Sequence, residues 1–298
     1  MRIQHRYLTF DKNDKLVKLL DKINAPYIVK EKNNDATTHF YVLEFLLYED
    51  DAQFIDIKEA LNKFKIEPQI GTVYEKSDIE NANWFIINSG EYQYPQPEDD
   101  FGYLAATFNL DNYCSLCGME KIQNAPYRLR TEPKQPNNQF WGLHWEFDSI
   151  FVRQKTKDIL ENENVKGIRF SAPVLHKTNI AIESFFQLHI DTILETGFDN
   201  YNAKIITCKI DNEEGLNNDK ETVCCGRQKF HHPRIGGYLF DKSIFNHNYD
   251  IVQTKEYFGS GRSACRLQIV SKQIKKLVEI NKLKGLYFIP IVHDKFLR

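Results

Sequence analysis

No apolar run in this chain approaches the roughly 20 residues that a bilayer-spanning helix needs, and its opening residues, Met1-Arg2-Ile3-Gln4-His5-Arg6, lack the apolar core of a signal peptide. Both absences point to a cytoplasmic protein. Net charge is almost missing as well, at -2 from 39 Lys plus Arg against 41 Asp plus Glu. That balance removes the basic footprint of a nucleic-acid-binding protein. Six cysteines in 298 residues are too sparse for a secreted disulfide scaffold. The nine histidines are scattered, and no Ser-His-Asp or Cys-His order comes with a recognisable local signature. The reading is therefore of a protein that is not an enzyme.

What is present is apolar substance, 42% hydrophobic and 13% aromatic residues, enough to offset chain entropy in more than one domain at this length. The first hundred residues alternate between periods. Ile3 to Phe10 reads as a strand, Leu16, Leu19, Leu20 and Ile23 fall at helical spacing, and His39 to Tyr48 reads as a buried strand. Phe54, Ile57, Ala60, Leu61 and Phe64 then mark a second helix, and Ile70 to Tyr74 a third strand. That order predicts an α+β chain opening with a small ferredoxin-like β-α-β-α-β domain over residues 1–91, which includes a short strand from Trp84 to Ser89. The proline- and acid-rich stretch from Tyr92 to Asp100 reads as a linker.

Residues 101–298 read as an internal duplication, with copies at about 108–190 and 219–298. Ile150 to Phe170 aligns without gaps on Gln268 to Phe288, each as strand, basic helix and strand, with Gly167 and Gly285 at the helix exits. Upstream of each stands a Cys-Gly pair, Cys117-Gly118 and Cys225-Gly226, followed three residues later by Lys121 or Lys229.

Cys114-Ser115-Leu116-Cys117-Gly118 has the spacing of a metal knuckle, two thiolates gripping one ion from a tight turn. A tetrahedral structural zinc needs two more ligands. Cys225 is the natural third, but its expected partner three residues earlier is Thr222, so the fourth ligand falls to Cys224 or to one of His231 and His232. Cys208 and Cys265 stand alone in the sequence. The competing reading keeps the cysteines as small buried hydrophobes without metal. Phe258-Gly259-Ser260-Gly261-Arg262-Ser263 lacks the ending of a phosphate-binding Walker loop and reads as a tight connector. The alternating aromatics from Phe140 to Phe147 read first as a packed sheet strand, second as a recognition surface, and the acidic runs Glu49-Asp50-Asp51 and Glu98-Asp99-Asp100 as solvated loops.

The succession Cys114-x-x-Cys117-Gly118, Phe140-Trp141-Gly142, Val165-Lys166-Gly167-Ile168, Cys225-Gly226-Arg227, Glu256 to Gly261 and Leu283-Lys284-Gly285-Leu286 resembles the bacterial double-CxxCG proteins over roughly residues 84–298. These are similar in layout to immunity proteins encoded beside polymorphic toxins. The resemblance implies Cys114, Cys117 and Cys225 as knuckle positions, and a protein that covers the active site of a cognate toxin. The alternative is an enzyme, a hydrolase or transferase, with its site between the two copies.

Overall fold

The computed structural model describes residues 1–10, 12–33, 39–92, 96–97, 102–134, 137–208 and 225–293. The chain is a mixed α+β protein in two compact units, one built on Met1–Asn81 with Pro233–Gly237, the other on Ala82–His232 with Tyr238–Lys295. No helix among the described residues is long and apolar enough to cross a membrane. Most of the stretch expected to link two domains, including Glu98-Asp99-Asp100, lies outside the described residues.

In the first unit the three expected strands and two helices form, and Tyr27–Asn33 adds a strand that the sequence reading missed. The four strands make one antiparallel sheet in the order Tyr27–Asn33, His39–Tyr48, Arg2–Thr9, Gln69–Val73. Alternation decides which face is buried: Ile3, His5 and Tyr7 point inward along the Arg2–Thr9 strand while their neighbours do not. Tyr7, Phe45 and Leu43 then pack against Leu16 and Leu20 of the helix Asp14–Lys22 and against Phe54, Ile57 and Leu61 of the helix Phe54–Asn62. The first of those helices starts at Asn13, whose side chain accepts the Leu16 backbone N–H and so satisfies one otherwise orphaned donor.

The strand Trp84–Ser89 forms where the sequence suggests, but it is hydrogen-bonded into the second unit. There it lies between Cys265–Ser271 and Leu286–Val292, antiparallel to both. Phe185–Ile190 takes the same place between Glu146–Arg153 and Ile168–Ser171. The registers correspond. Gln268 faces Ile87 and Leu286 faces Ser89 in one sheet, while Ile150 faces Leu188 and Ile168 faces Ile190 in the other.

The helices joining these strands bury matched positions, Thr156 and Leu160 in Gln154–Asn162, Ile274 and Val278 in Lys272–Ile280. Both exits run through a left-handed residue, Asn164 or Lys282, and then a glycine at φ 95° or 107°. The glycines are required twice over. A Cβ would meet Ile251 O at 2.2 Å at Gly167 and Phe140 O at 2.0 Å at Gly285, and the left-handed φ disfavours any other residue. These exits interlock the two segments: Lys166 O accepts the backbone N–H groups of Asp250 and Ile251, and Lys284 O accepts those of Gln139 and Phe140.

Candidate metal centre

Two short hairpins carry the cysteines. Phe108–Asn109 pairs with Ile122–Gln123, and Cys114 and Cys117 lie in the turn between them. Ile205–Thr207 pairs with Gln228–Phe230, with Cys208 leaving the first strand and Cys225 entering the second. In the knuckle the Gly118 N–H donates to Cys114 O at 2.8 Å and the Cys114 N–H to Met119 O at 3.1 Å. Gly118 has φ 79°, and a Cβ there would stand 2.1 Å from Arg262 O. The second hairpin is pinned to the first by the Arg227 guanidinium, which donates to Asn112 O.

Cys114, Cys117, Cys208 and Cys225 converge, their four Sγ atoms all within 4.8 Å of one another. Two cross pairs, Cys114 with Cys208 and Cys117 with Cys225, stand at 3.7 Å. A zinc–sulfur bond of about 2.3 Å in a regular tetrahedron puts sulfurs about 3.8 Å apart, so the set matches a tetrathiolate site. A disulfide needs about 2.05 Å, and all four thiols are free. Three of the four are buried, with Leu116, Met119, Tyr257 and Ala264 packed around them.

Burial pushes the Cys114 thiol up, but hydrogen bonds from the backbone N–H groups of Cys117 and Leu116 and from the Cys117 and Cys225 thiols together bring it down to about 6. Cys117 is lifted to about 11, first by burial and then by the neighbouring thiols. The cluster thus gives up one proton readily and holds the next against the charge just formed. A divalent cation reverses that second cost.

Lys229 is 1% exposed and has carbonyl partners: Cys117 O at 2.8 Å, Gly261 O at 2.7 Å and Ser263 O at 2.7 Å. Burial pushes its pKa down, while Cys117, Cys208, Cys265 and Cys114 pull it up. A buried ammonium beside the thiols suits a cluster that turns anionic when it binds metal. The same lysine ties the knuckle to the Gly259–Ser263 turn, which is a connector between the antiparallel strands Ile251–Phe258 and Cys265–Ser271.

Of the residues singled out in the sequence, Cys114, Cys117 and Cys225 come together here, and Cys208 takes the fourth position. Cys224 and Thr222 lie outside the described residues. His231 stands outside the cluster, its backbone N–H donating to Lys204 O, and His232 Nδ1 bonds the Tyr238 hydroxyl at 2.7 Å. Cys265 is elsewhere, its thiol donating to Phe258 O. Cys208 escaped the sequence reading because 16 residues separate it from Cys225, and the spacing rule looks for two. A usable signal existed: the intervening Lys209 to Cys224 is rich in Asn, Asp, Glu and Lys, as an insertion splitting a knuckle would be. No protein-family model matches the chain and no curated relative is found for it.

Proposed function

We propose that this chain is a non-catalytic binding protein whose second unit is clasped by one structural zinc ion on Cys114, Cys117, Cys208 and Cys225. The observation that carries the reading is the convergence of the four thiols, all within 4.8 Å of one another and 3.7 Å apart in two cross pairs. Four protein ligands leave no open coordination position for water or substrate, so the ion would hold the two hairpins together and take no part in chemistry. The test is metal content of the purified protein by plasma mass spectrometry. About one zinc per chain, lost in a Cys114→Ser, Cys117→Ser double variant, is the expected result. A metal-free protein with an unchanged melting temperature after chelation would overturn it.

Within that class the resemblance to double-CxxCG proteins supports an immunity protein that neutralises a cognate toxin by covering its active site. Its test is co-expression with a toxin encoded beside its gene. Restored growth together with a stable complex supports the role, and growth arrest despite expression removes it. The strand order and antiparallel pairing of the first unit support reading it as ferredoxin-like. Matched registers, helix positions and glycines support reading the second as a duplication.

The enzyme alternative draws on a cavity beside the knuckle, lined in part by Lys121 and Glu146. Those two groups stand 2.5 Å apart and neutralise each other, which favours holding a ligand over proton transfer.

A further inference from the structure

The cavity between the knuckle and the Gly259–Ser263 turn encloses about 340 Å³, within the range of small-molecule sites. Three of its walls are aromatic, Tyr103, Tyr113 and Trp145, and the Phe147 ring is 59% exposed at the same site. Trp145 is held in place by its neighbours, with ring centroids 4.6 Å from Tyr103 and 5.9 Å from Tyr127. Rings fixed in this way present flat faces without first losing side-chain entropy.

The charges are uneven. Lys121 and Glu146 form an ion pair, with Glu146 only 1% exposed by side chain and Lys121 Nζ also 5.0 Å from the Phe108 ring centroid. Their charges cancel within the site. Arg262 also lines it and is exposed, and among the described residues no carboxylate stands within ion-pair distance of it. Among the lining side chains Arg262 is thus the cation without a carboxylate partner, on a planar fork suited to a carboxylate or phosphate.

We infer that this cavity binds a small planar aromatic molecule bearing one anionic group, the ring between the Tyr103, Tyr113 and Trp145 walls and the anion on Arg262. The site borders the knuckle through Ser115 and Gly118 but takes none of the four thiols into its lining, and binding is measured on the protein as purified. The probes are naphthoate, naphthylmethanol and naphthylmethylammonium, the same ring bearing a negative, neutral or positive group, titrated calorimetrically. Naphthoate is expected to saturate one site per chain and to bind about tenfold tighter than the other two, the worth of one well-placed charge-assisted contact.

Arg262→Gln should remove that advantage and leave naphthylmethanol unchanged, and Trp145→Leu should weaken all three. Arg262 is exposed, so the variant keeps its fold, which an unchanged melting temperature verifies. Tighter binding of the ammonium probe would overturn the inference in favour of a cation cage around Glu146. No saturable binding by any probe, or naphthoate affinity unchanged in Arg262→Gln, would overturn it outright.

Discussion

Replacing Cys208 by serine tests the metal centre at its least expected ligand. The substitution removes one sulfur from a set whose members lie within 4.8 Å of each other, and a serine hydroxyl is not among the ligands that suit zinc. A ligand present at about a thousand times its dissociation constant stabilises the folded state by about 4 kcal/mol. In a unit of this size each kcal/mol moves the melting temperature by about 2–4 °C, so loss of the ion should lower it by about 8–16 °C.

The assay pairs differential scanning calorimetry with zinc stoichiometry on Cys208→Ser, Cys224→Ser, His231→Ala and Cys265→Ser. Only the first should lose both zinc and stability. Cys265→Ser loses a weak sulfur donor bond to Phe258 O and should stay within about 1 kcal/mol of the parent. Full zinc in Cys208→Ser together with loss in Cys224→Ser or His231→Ala would refute the assignment of the fourth ligand.

Lys229→Met removes the one donor shared by Cys117 O, Gly261 O and Ser263 O, and should destabilise by about 3 kcal/mol or more in thermal melts, since three buried carbonyls lose a charged partner together. Gly118→Ala forces a Cβ to 2.1 Å from Arg262 O at φ 79°, and should lower both melting temperature and zinc retention, whereas Gly71→Ala, with nothing within 4 Å, should leave zinc retention intact. His189, whose Nε2 bonds Ser171 Oγ at 2.6 Å, is held down to about 4 by burial first and Arg169 second. Because that value lies below the ordinary 6.5 of an unfolded histidine, His189 favours the fold above the unfolded value and loses that contribution as pH falls toward 4. The loss should reach about 3 kcal/mol at most, less for partial exposure, and the imidazole resonances should stay flat from neutral pH down to about 5. Titration near the ordinary value would contradict it.

Much of the architecture was legible because local pattern and tertiary packing agree. Leu16 and Leu20 fall on a helical stripe and are both buried, and Gly167 and Gly285 end helices as their positions suggest. Tyr27–Asn33 was missed because its Lys30, Glu31 and Lys32 read as polar, and because its pairing with His39–Tyr48 depends on a partner the pattern does not specify. The packed-strand reading of the aromatic run holds for Phe140 to Leu143, all buried, but Trp145 in the following turn and Phe147 on the next strand, Glu146–Arg153, line a cavity. Alternation alone cannot distinguish a core face from a pocket wall. Cys208 illustrates the same limit at the site, since proximity in a hairpin is set by pairing across an insertion and not by distance along the chain.

The strand Trp84–Ser89 sets a timetable for synthesis. Ile87 faces Gln268, 181 positions later, and Ser89 faces Leu286. At about 5–20 residues per second the ribosome takes on the order of 10–40 seconds to deliver those partners. Throughout that interval Phe85, Ile86 and Ile87, each at most 5% exposed in the finished protein, have no sheet to enter. The nascent chain therefore carries an apolar strand that is covered only once Cys265–Val292 has been made, and that interval is when a chaperone would find it.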